Sequence, residues 1–228
     1  MNPILADILD FIFPRRCHIC DGSLAKHERF ACTDCLHRIP RSGYHRRTLN
    51  PMEERFAGII PFERGTGHFL YNRDSPLSIL IQDMKYRGFS DIGDMLGELA
   101  ASELFPTGFF TDVDLIVPVP MHFLKQMKRG YNQTHHIARG ISVATGLPVS
   151  LTLKAVRSHK TQTALSREER LRNTSGMFRV ADPSVIEGKH VLLVDDVCTT
   201  GSTLISAGEA LAAARPSAVT LFTLAVTF

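Results

Sequence analysis

Residues 190–204, HVLLVDDVCTTGSTL, run an apolar strand into two adjacent carboxylates, Asp195 and Asp196, and then into a turn holding Thr199, Thr200, Gly201, Ser202 and Thr203. In an open parallel sheet, ligands bind beyond the carboxyl ends of the strands, so this pair sits where a site belongs. The turn leads into the helical pattern GSTLISAGEALAAA. Unpaired N–H groups and the positive end of the helix dipole therefore face whatever occupies it. Four hydroxyls and a glycine that permits close approach suit a phosphate monoester, whereas a simple helix cap needs one hydroxyl. The turn carries no lysine, which separates it from the G-x-x-x-x-G-K-[ST] loop of nucleoside-triphosphate sites. Carboxylates touching that phosphate would repel it. They make sense if they accept hydrogen bonds from neutral hydroxyls farther along the ligand, or hold a metal. A 5-phosphorylated ribose has this layout, with an anion at one end and a vicinal diol near the middle.

A second constellation lies near the N-terminus. Cys17 and Cys20, then Cys32 and Cys35, form two C-x2-C pairs separated by eleven residues. Each pair places two thiolates on one tight turn, and two facing turns complete a tetrahedral sulfur shell for a structural Zn2+. Two disulfides need an oxidising compartment, and a redox C-x-x-C has no use for doubling. Such a site is closed and does no chemistry at the metal. His18, His27 and His37 read as solvated neighbours. Cys198, the fifth cysteine, reads as a packing residue.

The elements that position these groups alternate between the two periods. Ile4, Ile8 and Ile12, with Leu5 and Leu9, fit a short amphipathic helix. Residues 56–62 and 66–70 read as two strands of a hairpin. SPLSILIQDMKYRG reads as a helix with Ser75 as cap, Pro76 at its first position and Gly88 as stop, and another helix starts at Ser90 or Asp91. VDLIVPVP is a strand, NQTHHIARGISVATG a helix capped by Asn132, LTLKAVR a strand, and AVTLFTLAV the last strand. Strands alternating with helices predict an α/β fold with a mainly parallel sheet. Residues 157–178 fit neither period well and are rich in polar and cationic residues, which marks a functional or mobile connection. The organisation expected is an N-terminal helix plus four-cysteine zinc-binding module over 1–50 and an α/β domain over 51–228.

VLLVDDVCTTGSTL resembles the 5-phosphoribosyl-1-pyrophosphate (PRPP) signature of type I phosphoribosyltransferases. Together with the cysteine quartet, KYRG at 85–88, VPVPMH at 117–122, KRGYNQ at 128–133 and TQTALSREERLRNTSGMF at 161–178, the whole chain resembles the ComF family of competence-associated proteins. The resemblance implies a type I phosphoribosyltransferase fold carrying a zinc-ribbon-like module. It implies that Asp195 and Asp196 hold the ribose diol and that Thr199, Thr200, Gly201, Ser202 and Thr203 wrap the 5-phosphate. The pyrophosphate side falls at VPVPMH, and the loop that closes over the substrate falls around Lys160 to Arg170. Displacement of pyrophosphate passes through an oxocarbenium-like state, so charge stabilisation matters more than a strong nucleophile. Mg2+ on the pyrophosphate, with His122, Lys125 and Arg129 and the loop cations Lys160, Arg167 and Arg170, would stabilise the leaving group. Lys85 and Arg87 are either site neighbours or partners of a helix C-terminus.

Two function classes follow. One is an Mg2+-dependent transferase moving phosphoribose to a nitrogen acceptor that the sequence does not identify. The other is a non-catalytic PRPP- or nucleotide-sensing protein that holds single-stranded DNA beside a helicase-like partner during DNA uptake. For the second, PRR, HRR and KQMKRGYNQ offer Arg46, Arg47, Lys125, Lys128, Arg129 and Tyr131 to grip phosphates and stack a base. The formal charge of +3 is too mild to decide between them. The N-terminal apolar stretch has no basic lead and is interrupted by Asp7 and Asp10, so neither membrane insertion nor secretion is expected, and the chain reads as cytoplasmic.

Overall fold

The segments HVLLVDDVC and AVTLFTLAV are apolar almost without alternation, as strands buried on both faces of a parallel sheet must be. The computed structural model of the chain describes residues 14–121, 126–127, 129–156 and 176–227. Its central sheet holds β1 (Arg64–Leu70), β2 (Leu115–Pro118), β5 (His190–Cys198) and β6 (Ala218–Val226) in the order β1-β6-β5-β2. All three pairings are parallel, with Leu193 opposite Leu221 and Asp195 opposite Thr223. Neither edge is left bare. Residues 40–42 run antiparallel along β1, with Leu70 N–H donating to Pro40 O at 2.9 Å, and Val149 bridges to Ile116 outside β2.

Helices cover both faces of the sheet. Helices α2 (Pro76–Tyr86), α3 (Asp91–Leu104) and α4 (Gln133–Thr145) pack on the side of Leu192, Val194 and Phe222. Helix α5 (Ser202–Ala212) packs on the side of Val191, Leu193 and Leu221. The helix punctuation falls where the sequence puts it. Ser75 and Asn132 are the N-cap residues of α2 and α4, and Gly88 takes the left-handed conformation (φ 85°) just past α2. Helices α3 and α4 are in backbone contact: a Cβ on Gly140 would lie 2.1 Å from Asp94 O, and one on Gly97 2.3 Å from Ile137 O. Gly140→Ala is therefore expected to force these helices apart and to cost roughly 2–3 kcal/mol, read as a lower urea midpoint.

Two expectations are corrected here. Residues 56–62 are not a strand: a 3-10 turn at Glu53–Arg55 runs into further turns, Gly58 adopts φ 74°, and Phe56 and Ile60 pack against the α5 face. Their burial four residues apart is a helical spacing, which the short apolar run disguised. Residues 66–70 do form a strand, but β1 pairs in parallel with β6 rather than in a hairpin. The strand within LTLKAVR is β3 (Leu153–Ala155), which pairs antiparallel with β4 (Phe178–Val180) as a separate two-stranded sheet. The expected helix around Ile4–Ile12 lies outside the described residues.

The cysteine module packs on the α2 side. A bridge between Arg16 and Ser23 and the bond from Cys17 N–H to Gly22 O (2.8 Å) form the first turn; α1 (Thr33–His37) starts at the second. Cys17, Ala31, Cys35 and Ile39 are buried in the same apolar cluster as Phe69, Leu77 and Leu80.

Candidate functional site

At the carboxyl end of β5 the sheet opens into a cleft of about 250 Å³. Its walls come from four directions: Lys85 and Tyr86 at the end of α2, Val119 to Met121 after β2, Asn132 to Thr134 at the start of α4, and Asp195, Asp196 and Thr203 from β5 and α5. Arg129, Ala155, Met177 and Phe178 complete it. The fold thus brings Asp195, Asp196, Thr203 and Arg129 together. Thr199, Thr200, Gly201 and Ser202 form the turn that leads from the cleft into α5. His122, Lys125, Lys160, Arg167 and Arg170 lie outside the described residues, as does Lys128; Met121, Ala155 and Met177, which flank or approach those segments, line the cleft.

The turn keeps its shape without capping the helix. Gly201, the N-cap of α5, has φ 81°, and a Cβ there would meet the Phe56 ring at 2.7 Å, so both conformation and space require glycine. Gly201 has no capping side chain and Ser202 N–H makes only a long bond of 3.5 Å to Thr200 Oγ1, so the start of α5 keeps N–H groups to offer a ligand. The guanidinium of Arg55 donates to Thr199 O and, at 2.5 Å, to Thr227 O, which ties the turn to the end of the chain's last strand. Cys198 is buried, and burial pushes its thiol up to about 11, consistent with packing and not with nucleophilic attack.

The two carboxylates differ in surroundings. Asp196 Oδ2 lies 2.7 Å from Lys85 Nζ and accepts from Gln133 Nε2 at 3.3 Å, while its Oδ1 accepts from Val197 N–H at 2.6 Å. Asp195 Oδ1 accepts from Asp196 N–H at 2.8 Å. Loss of water, and then the charge of Asp196, push the Asp195 carboxyl up to about 7. Burial acts to lower the Lys85 pKa, but the charge of Asp196 and its hydrogen bond outweigh it and raise the pKa. Gln133 Oε1 is buried in the cleft wall with no hydrogen-bond partner among the described residues. At the mouth, the exposed Tyr86 ring carries the Arg129 guanidinium 5.3 Å from its centroid.

Lys85 is the ambiguous cation of KYRG, and its pairing across the cleft decides for the site. Arg87 instead pairs with Asp83 at 3.0 Å. Sequence reasoning missed Gln133 and Arg55. Gln133 stands inside the RGYNQ segment that the sequence singled out, but nothing in the sequence marks Arg55.

The quartet Cys17, Cys20, Cys32 and Cys35 also assembles: the four sulfurs lie within 4.8 Å of one another. Burial raises the Cys17 thiol, but N–H groups of Cys32, Cys20 and Ile19 outweigh it and bring it to about 7. Burial and the three neighbouring sulfurs push Cys35 far upward. Four thiolates this close need a shared cation, so the donor set fits Zn2+. His18 is not solvated as expected: its Nδ1 lies 2.5 Å from Asp83 Oδ2, and its ring meets Phe30 and Phe89 edge-on. Nor is Tyr131 free to stack a base, because its hydroxyl donates to Met84 O and its ring abuts His136. Arg16 pairs with Asp21, and Arg15 donates to the carbonyls of Glu28 and Ala25, though both stay exposed; Arg46 and Arg47 are exposed as well, beside Arg64.

Residues 108–226 match the family model of the phosphoribosyl transferase domain. The β5 carboxylates and the α5 turn fall within that match, so the fold and cleft define a protein of this domain class. The chain is 30% identical to Competence protein F of Haemophilus influenzae over 206 residues, 84% of this chain and 88% of that relative. It belongs to the ComF family. It is also 24% identical to Competence protein ComFC of Bacillus subtilis over 91% of this chain and 82% of the relative. The match to DNA utilization protein YhgH of Salmonella typhi is 34% over 60% of this chain and spans 61% of that relative. Among the described residues no helix is long and apolar enough to cross a membrane.

Proposed function

We propose that the cleft binds PRPP together with Mg2+ and that the protein acts in the cytoplasm, in natural competence, the process named in its relatives Competence protein F and ComFC. The observation that carries the reading is the shared cleft of Asp195, Asp196 and Thr203 at the N-terminus of α5. The two carboxylates accept hydrogen bonds from the ribose diol. The 5-phosphate lies on the turn from Thr199 to Thr203, where helix N–H groups and hydroxyls donate to it. Lys85 pairs with Asp196, and Gln133 Oε1, without a partner among the described residues, offers a further acceptor.

In the transferase form of this reading, phosphoribose passes to a nitrogen acceptor as the bond to pyrophosphate breaks. No covalent intermediate with the protein is needed. Arg129, with His122 and Lys125 and the loop cations Lys160, Arg167 and Arg170, neutralises the departing pyrophosphate. Bound Mg2+ would add Lewis-acid charge stabilisation there. In the same reading Zn2+ is structural, and contacts with single-stranded DNA or a helicase-like partner belong to surfaces other than the cleft, Arg46 and Arg47 among them.

The test is calorimetric titration of the protein with PRPP and Mg2+ at pH 6 and pH 8, followed by assay of pyrophosphate release against a panel of nitrogen bases. Asp195 offers two charged acceptor oxygens only when ionised, and with its pKa at about 7 the carboxylate is the minor form at pH 6 and the major form at pH 8. Affinity is expected to rise roughly 5- to 10-fold between the two, and Asp195→Asn to flatten the rise. Absence of binding heat at either pH would end the reading.

A further inference from the structure

The contact between the cysteine module and α2 carries an inference beyond the ligand reading. Asp83 is buried on the last turn of α2, two residues before Lys85. It faces His18, which sits between the ligand candidates Cys17 and Cys20. The carboxylate of Asp83 accepts from His18 Nδ1–H. The carbonyl of Asp83 accepts from Arg87 N–H at 3.1 Å and Phe89 N–H at 3.4 Å, so the same residue fixes the corner that ends α2. Phe89 closes that corner against the module, its ring 4.7 Å from His18 and 6.2 Å from Phe30. Three consecutive residues therefore reach three parts of the molecule: Asp83 the cysteine turn, Met84 O the Tyr131 hydroxyl, and Lys85 the Asp196 carboxylate in the cleft.

We infer that His18 is a positioning residue and that the metal-ordered cysteine module braces the cleft through it. A cation bound by the four sulfurs fixes the Cys17–Cys20 turn, the turn fixes the imidazole, and the imidazole holds the end of α2 at the place from which Lys85 reaches Asp196. Removing the imidazole leaves Asp83 its pairing with Arg87, so the chain is expected to fold without the brace. The coupling is reciprocal: a ligand that orders Lys85 and Asp196 tightens metal binding at equilibrium by the same factor.

The experiment uses the full chain with Zn2+ bound. His18→Ala and Asp83→Ala break the contact from either side, and His18→Gln restores an N–H donor. Cobalt substitution monitors the four-cysteine site through its thiolate charge-transfer bands. Backbone hydrogen exchange is read at residues 83–89, and PRPP affinity by calorimetry. With the cobalt spectrum unchanged, either alanine variant is expected to exchange at least 10-fold faster at residues 83–89 and to bind PRPP at least 5-fold more weakly, with His18→Gln recovering part of both. Unchanged exchange in an alanine variant that keeps its cobalt spectrum overturns the brace; if one alanine variant does not fold, the other decides. The affinity arm rests on the PRPP reading and the exchange arm does not. Should the wild-type protein bind no PRPP, faster exchange still supports the brace, and the failure belongs to the ligand reading.

Discussion

Asp195→Asn/Asp196→Asn is expected to weaken PRPP binding by at least ~100-fold at pH 8, because each charge-assisted hydrogen bond to a hydroxyl contributes about 1.5–3 kcal/mol and two are lost together. The single variants separate binding from stability. Water loss and Asp196 raise the Asp195 pKa, so the protonated form favours the fold. That stabilising share is full below the ordinary carboxylate range and is lost as pH rises through about 7. At pH 8 Asp195→Asn removes a poorly solvated charge and is expected to melt no lower than wild type. Asp196→Asn strips the partner from Lys85, whose side chain is 20% exposed, and is expected to lower the melting temperature. Calorimetry and thermal melting at pH 8 check all three proteins. A double variant that binds PRPP within threefold of wild type would remove the carboxylates from the site.

Stripping the metal, or replacing Cys35 by Ser, is expected to lower the melting temperature by about 10 °C, the shift that roughly 3–5 kcal/mol produces in a chain of this size. The module has little apolar material of its own. Cys17, Ala31, Cys35 and Ile39 are buried only because the cysteine turns press them against Phe69, Leu77 and Leu80. Letting the turns go exposes that side of the core and takes His18 away from the buried carboxylate of Asp83. Limited proteolysis is expected to cut first within residues 15–40 after chelation. An unchanged digestion pattern in metal-free protein would show that the module folds without its cation.

The readings that held concern residues close together in the chain. The run from Asp195 to Thr203 states its own geometry, because a strand must deliver its last side chains beside the turn that follows it and a helix start must present its N–H groups there. The two C-x2-C turns need one encounter to meet. Ser75, Pro76 and Gly88 punctuate α2 through backbone preferences that act on one or two residues. Residues 56–62 misled because a short, largely apolar run satisfies either period, and the Glu53–Arg55 turn beneath α5 decided between them. The pairing of β1 with β6 joins residues some 150 positions apart, and no local signal carries it.

By itself the sequence determined the parallel α/β class, the cysteine quartet, and the carboxylate pair beside a hydroxyl-rich helix start, since each follows from period, spacing or adjacency. Only the tertiary structure decided which cation meets Asp196, how Arg55 ties down the α5 turn, and that His18 faces Asp83 instead of water. Those contacts join residues 65 to 172 positions apart or depend on how α2 is laid across the sheet end. The physical reason is that local preferences act through a few bonds, whereas partners in a cleft are chosen by the packing of whole elements.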